Sequence, residues 1–446
     1  MIENQYIDLF TTYRADIDSN SAAGINYHRE KAFEAFKALG FPTSKQEDFL
    51  HSDIATAFEP DYGINIRRIP LKIDPYTDYK CNVPDLSTNL YFLINDMFFD
   101  QGVPEINYPE GVYAGSLKTF AEQHPDVFSK YYNQAVDLEK NGTVAFNTMF
   151  VQDGFVLYVP DNTVLEQPIQ LINILRSRFD YLVNRRILII VGKNSQAKVL
   201  VCDHAVDSAK FLATQVAEIF AEENAHVDFY ELEESSEKTT RIASTFVHQA
   251  KNSNVLVNNL TLNCGFTRNN YHVKLDGEYA ESTVAGMIIA GKKQHVDNFA
   301  FLDHAKPNCH STQLFKYVLQ DEALGAFCGR ILVEKDAQKT MAYQTNNNLC
   351  ASPHTHMYSK PQLEIYADDV KCSHGLTTGQ LDEDALFYMR ARGIKKDDAR
   401  LLLMQAFTDD VLRLVRLDVL RERLHDLVEK RFKGEQVRCG NCLICK

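Results

Sequence analysis

Cys372 and His374 stand two residues apart at the end of a strand-like run, Leu363-Glu364-Ile365-Tyr366-Ala367-Asp368-Asp369-Val370-Lys371-Cys372-Ser373-His374-Gly375. On an extended strand, side chains at i and i+2 share a face, so the thiol and the imidazole project together, with Lys371 and Ser373 on the other side. A soft thiolate beside an imidazole suits iron, zinc or sulfur chemistry. The same spacing also fits a buried cysteine next to a capped histidine. The pair alone does not separate the two readings.

A second group lies at Cys439, Cys442 and Cys445. C-x-x-C-x-x-C opens the ligand run of bacterial ferredoxins, but the remainder of that run does not follow Cys445. Three thiolates would need a fourth ligand from elsewhere to hold a metal or a cluster. An unligated tail is the competing reading. Cys81, Cys202, Cys264, Cys309, Cys328 and Cys350 are scattered singly and read as small buried hydrophobes. His354 and His356 read as loop residues, and His304 and His310 as ordinary surface or turn residues.

Several function classes are disfavoured. The net charge of −13 argues against a broad nucleic-acid or anionic-membrane surface. No run of about 18 apolar residues occurs, so no membrane span is expected. The N-terminus, Met1-Ile2-Glu3-Asn4-Gln5, lacks the basic and apolar regions of a signal peptide. Ten cysteines then suggest reduced thiols in a cytoplasmic protein. There is no G-x-x-x-x-G-K-[ST], so no nucleotide is expected to be bound by this chain. Nor is there a G-x-S-x-G, H-E-x-x-H or G-x-G-x-x-G motif. No catalytic residue is assigned, and a non-enzymatic role is expected.

The elements that must position these groups fall into four stretches. Residues 1–153 read as a mixed helical N-terminal region. A helix over 27–39 carries Ala32, Phe33, Phe36 and Leu39 on one side and stops at Gly40. A strand is expected over 90–99 and helical stretches over 117–150. Residues 154–381 are almost pure β, with short runs separated by small polar turns. Taking Ala197, Ala225, Asn254 and Ala280 as equivalent turn positions, the spacings are 28, 29 and 26. Such a loose period fits a solenoid of parallel strands. The rival is an antiparallel sandwich, for which more Asn-Gly or Asp-Gly hairpins are expected than the single Asp276-Gly277. Residues 382–433 switch to helical spacing. Helices are expected over 385–392, capped by Asp382, over 397–407, and over 411–432, capped by Thr408 or Asp409. Between Leu386 and Lys433 stand twelve Lys/Arg and eight Asp/Glu, a basic end on an acidic chain. It reads equally as a solvated helical cover or as a docking platform. Residues 434–446 are the cysteine-containing tail.

Residues 360–382, followed by Phe387-Tyr388-Met389-Arg390-Ala391-Arg392-Gly393-Ile394, resemble the SufD family of the SUF iron–sulfur cluster assembly system. Phe327-Cys328-Gly329-Arg330-Ile331, Ala337-Gln338-Lys339-Thr340, Gly40-Phe41-Pro42-Thr43 and Glu47-Asp48 carry the resemblance upstream. Phe49 stands where the family has tryptophan, which reads as a packing change. The resemblance implies a right-handed parallel β-helix core between helical N- and C-terminal regions. It implies a non-catalytic scaffold that pairs with a SufB-like paralogue through the β-helix. The C-terminal helices would dock a SufC-like ABC ATPase. Cys372 and His374 would lie near the paired interface, where the nascent iron–sulfur cluster forms. A homodimer is expected when the partner is absent. The tail cysteines lie outside the family pattern. Two alternatives remain open here: an autonomous metal or iron–sulfur protein acting through the tail, and a β-helix enzyme acting on carbohydrate.

Overall fold

The computed structural model describes residues 2–70, 74–78 and 88–435. Cys81, Cys439, Cys442 and Cys445 lie outside the described residues, and so does the tail-site expectation.

The core is a parallel β-solenoid of about 8 turns. Successive strands alternate between two sheets, one of ten strands and one of nine among the described residues. Gln196, His226, Asn254, Glu281, His310, Met341 and Lys371 stand in one parallel ladder, with coils of 30, 28, 27, 29, 31 and 30 residues. The period read from the sequence is therefore the coil length. Two of its reference residues, Ala197 and Asn254, sit just inside strands rather than in turns. The sandwich alternative falls with the parallel pairing.

The turns explain why this sequence coils. Asn162, Asn194, Asn224 and Asn252 all take left-handed backbone, φ 55 to 59°. Asparagine tolerates that conformation better than other residues with a Cβ. Their side chains also form a ladder: Asn194 donates to Asn162 at 2.8 Å, Asn224 to Asn194 at 2.8 Å, and Asn252 to Asn224 at 3.1 Å. Each coil's corner is thus tied to the next.

Three layers of burial follow. The lumen is packed with Phe155, Leu157, Ile187, Ile189, Val199, Phe229, Phe315 and Tyr317. Over the nine-stranded sheet lie the N-terminal helices Ile2–Ser19, Arg29–Leu39 and Gly142–Phe150. Their Phe10, Phe36, Phe146 and Phe150 bury against Leu182, Leu212, Val216 and Ile242. Over the ten-stranded sheet lies the helix Asp418–Phe432, with Leu420, Leu424, Leu427 and Val428 against Ile172, Leu200, Leu256 and Met287. At about 1.5–3 kcal/mol per fully buried large apolar side chain, these faces fix both covers to the solenoid.

Sequence expectation and structure differ at several places, and His356, expected in a loop, opens the strand His356–Ile365. The strand expected over 90–99 breaks at Asn95, φ 58°, into Asn89–Ile94 and Met97–Phe98, which pair antiparallel. The helix Lys396–Leu412 runs through Thr408 and Asp409 instead of restarting there. The Thr408 hydroxyl donates back to the carbonyls of Met404 and Gln405, and Asp409 pairs with Arg413 one turn on, 2.6 Å. Both potential caps are spent inside the helix. The break comes at residues 413–417 instead.

The two ends of the solenoid are unlike. At the N-terminal end each sheet finishes in an antiparallel strand, Met97–Phe98 on one and Tyr113–Ser116 on the other. Val103, Ile106, Tyr108 and Val112 close over the lumen there. At the C-terminal end the last strands, His356–Ile365 and Lys371–Gly379, are free sheet edges among the described residues.

Candidate functional site at the open end of the solenoid

Cys372 and His374 lie on the free edge strand Lys371–Gly379. Cys372 is in register with Ala342, and His374 with Gln344. Ala342 and Gln344 are buried in the lumen, so the alternation of the strand turns both site residues to the mouth of the solenoid. The shared face expected from the spacing is therefore present. Cys372 is half-buried against the group formed by Ile331, Val333, Ala342 and Ala367. His374 is exposed. Burial pushes the Cys372 thiol up, partly offset by the backbone N–H of Ala342.

In a parallel ladder a residue's N–H and C=O point to the same side, and successive residues alternate. The Lys371 N–H bonds inward to the Thr340 carbonyl, 2.9 Å. The backbone groups of Cys372, His374, Leu376 and Thr378 therefore face the open edge. Side chains that could hold iron and a row of unpaired peptide groups occur together there.

The lumen changes character beneath this mouth. Ser311, Gln313, Phe315 and Tyr317 of one strand are followed by Ala342, Gln344, Asn346 and Asn348 of the next, then by Cys372, His374, Leu376 and Thr378. Asn346 and Asn348 bond to each other at 2.8 and 3.0 Å. The Ser359 hydroxyl donates to Asn346 Oδ1 at 2.7 Å, and Asn348 Nδ2 donates to the Thr378 hydroxyl at 3.2 Å. A polar layer thus underlies the pair.

The N-terminal region reaches the same end. Asp48 pairs with Arg330 at 2.6 Å, Glu47 with Lys360, and the His51 ring stacks on Tyr358 at 3.9 Å. Phe49 lies under the Arg268 guanidinium, 4.6 Å from its carbon, which accounts for an aromatic ring at that position. Three sequence segments that look unrelated along the chain, around residues 47, 328 and 360, therefore meet in space. Sequence reading missed this clasp. Its only signal was the presence of carboxylates at 47 and 48 and cations at 330 and 360.

Among the described residues no group of three or more His, Cys, Asp or Glu is arranged to hold a metal ion. The pair offers two ligands. Cys202, Cys264 and Cys309 are buried, while Cys328 and Cys350 are intermediate. His304 is fully buried, with Nε2 2.8 Å from the Ser311 hydroxyl, and so is a core residue and not the surface or turn residue expected.

The helical end divides in two. The helix Asp418–Phe432 is a packed cover. The helix Glu383–Ala391, capped by Asp382 through the N–H groups of Asp384 and Ala385, buries only Leu386. Phe387 is 74% exposed and Tyr388 58% exposed, and Leu402 on the next helix is also exposed. Among the described residues no helix is long and apolar enough to cross a membrane.

Known proteins are similar to this chain along most of its length. Residues 1–171 match the SufBD protein N-terminal region, and residues 175–407 match the SUF system FeS cluster assembly, SufBD core domain. An iron–sulfur cluster assembly SufBD family protein of Synechocystis is 27% identical over 415 residues, 90% of each chain. The iron–sulfur cluster assembly protein SufD of Escherichia coli is 32% identical over 47% of this chain and 50% of its own. SufD of Bacillus subtilis is 25% identical over 73% of this chain and 75% of its own. The chain belongs to the SufBD family of iron–sulfur cluster assembly proteins.

Proposed function

We propose that this chain is a non-catalytic scaffold subunit for iron–sulfur cluster assembly, contributing one half of a shared site. The observation that carries this reading is the asymmetry of the solenoid. One end is capped, while the other leaves two edge strands free and carries Cys372 and His374 at its mouth. A second solenoid with a similar end, SufB-like, would pair its edges with these strands and add the missing ligands. The nascent cluster is cargo at that junction. A second copy of this chain is the substitute when the partner is absent.

The ATPase partner, SufC-like, docks on the helix Glu383–Ala391 and the start of the next helix. Exposed Phe387, Tyr388 and Leu402 form its apolar centre, and Arg390, Arg392, Lys395 and Lys396 surround it. Large rings at the centre of a patch are the usual anchors of an interface. The test is Phe387→Ala with Tyr388→Ala: ATPase co-purification is lost and the melting temperature unchanged. Retained binding sinks the docking claim. Cys372→Ser with His374→Ala is expected to leave the complex intact and to abolish cluster formation on it. Full-rate assembly by that variant overturns the site.

A further inference from the structure

The outer face of the nine-stranded sheet carries a cavity that the assembly role does not use. Val247, Tyr271, Val273, Ala300 and Leu302 fill the lumen, so Phe246, Arg268, His272, Phe299 and Phe301, at the alternate positions, point outward. Between them and the N-terminal stretches around residues 27–31, 48–49 and 133–141 lies a space of about 860 Å³. That is the size of a small-molecule site.

Its sheet wall is aromatic. The His272 ring stacks on Phe246 at 4.9 Å and stands 5.7 Å from Phe299. Burial, with Arg268 and Arg330 beside it, holds His272 down to about 4, so it is an uncharged ring at neutral pH. Arg268 is built into the same wall. Its side chain is 1% exposed, and its guanidinium carbon lies 4.6 Å from the centre of Phe49 and 5.6 Å from that of Phe299, both of which line the cavity. Nε donates to Asn270 Oδ1 at 2.8 Å, and Nη1 donates to Asp297. Among the described residues Nη2 has no partner, and neither has Nδ2 of Asn133, which also lines the cavity. Leaving a buried N–H unpaired is costly, and two such groups around one cavity call for a ligand that accepts from them.

The charges nearby permit an anion. The exposed lysines of the rim, Lys31, Lys140 and Lys274, pair with Glu139, Asp137 and Asp276 and leave selection to the buried donors. Asp48 is held by Arg330, and burial pushes the Asp303 carboxyl up towards its uncharged form.

We propose that this cavity binds a planar aromatic carboxylate, with its ring against Phe299 and Phe301 and its carboxylate on Arg268 Nη2. Carboxylate is the acceptor that a guanidinium binds most strongly, and ring-on-ring contacts add a preference for a flat molecule. Such a ligand touches the N-terminal region and the solenoid at once. The inference goes beyond the assembly role and stands or falls without it.

Titration calorimetry of the full chain with quinoline-2-carboxylate tests it. One site per chain is expected. Quinoline, which lacks the carboxylate, and cyclohexanecarboxylate, which lacks the aromatic ring, should each bind at least about tenfold more weakly. Arg268→Met should weaken quinoline-2-carboxylate by about tenfold or more. That substitution also takes a cation from Asp297, so a measurement on the wild-type chain stands beside it. With labelled phenylalanine, nuclear Overhauser contacts are expected from the probe to the rings of Phe49, Phe299 and Phe301. No binding at millimolar probe overturns the proposal, and so do contacts confined to other phenylalanines. Quinoline bound as tightly as its carboxylate, or a folded Arg268→Met chain with unchanged affinity, overturns it as well, because the guanidinium would then recognise nothing.

Discussion

The first coils and the last coil of this solenoid share parallel, in-register pairing, yet differ in almost every side-chain environment. In the strands Ile169–Leu175, Tyr181–Val191 and Phe211–Ala221 every residue is buried. In His356–Ile365 and Lys371–Gly379 none is. The lumen of the early coils holds polar groups as well, but they are closed off. Arg185 pairs with Asp203, and Arg241 with Asp203 at 2.9 Å and Glu231 at 2.7 Å, all fully buried. The polar groups of the last coil face a mouth. The difference lies in what covers each end, not in the fold, and a long exposed edge is a liability that proteins normally blunt. Under the proposed function a partner solenoid covers it.

The comparison is broken most severely by removing one member of the closed ionic group. Arg241→Met leaves Asp203 and Glu231 short of a cation in the dry lumen, and a cost of about 3–5 kcal/mol is expected. The urea midpoint reads it. Cys372→Ser with His374→Ala, in the same lumen but at its mouth, should stay within about 0.5 kcal/mol of wild type. Comparable losses from the two variants would show that the mouth is as closed as the interior.

Acid sharpens the same contrast. Burial holds His204, His272 and His304 down to about 4. Each is neutral when folded and binds a proton near 6.5 when unfolded, so its contribution is present above 6.5 and lost as pH falls towards 4. Glu233 has the opposite sign. Burial raises it to about 7, so its contribution is present below its unfolded value of 4.5 and lost as pH rises through 7. Burial lowers His28 and His295 in the same sense and raises Asp153 and Asp303 like Glu233, so five histidines outnumber three carboxyls and stability should fall from pH 6.5 to 4. Glu233→Gln removes the opposing contribution and should steepen that fall. A profile unchanged by Glu233→Gln would contradict the raised carboxyl.

How much of this could be read beforehand follows the same division. The solenoid was legible because its turns repeat small polar residues at coil spacing. The pair Cys372 and His374 was legible because period-two alternation needs no tertiary information. The buried ionic group was not, because Asp203, Glu231 and Arg241 lie far apart along the chain and look like ordinary polar residues on strands. The close approach of Gln344 to Gly329 across the lumen was invisible for the same reason. Thr408 and Asp409 misled because a cap and a mid-helix residue look alike until the partner of the side chain is known.

A proline placed on the free edge tests pairing without touching the interior. The Leu376 N–H faces outward by the ladder's alternation, so Leu376→Pro removes no hydrogen bond from the isolated chain. Its melting temperature should shift by no more than a few degrees. Pairing with a partner solenoid should be lost, as judged by co-purification. The same proline at Thr345, whose neighbours pair on both sides, should unfold the end of the core.

The smallest effect belongs to the clasp between the N-terminal region and the last coil. Glu47 and Lys360 are largely exposed, at 72% and 46% of their side chains. Exposed pairs are screened by salt and contribute little to global stability. Glu47→Gln should therefore leave the urea midpoint where it is. Asp48–Arg330 and the His51–Tyr358 stack would still hold, but the terminal strand would lose one of its ties to the body. Amide exchange in residues 356–365 should then quicken a few-fold at low salt, and added salt should bring the wild type to the same rate. Exchange that stays slow in the variant would mean that the last coil is held by its ladder alone, and that the clasp does not distinguish the open end from the closed one.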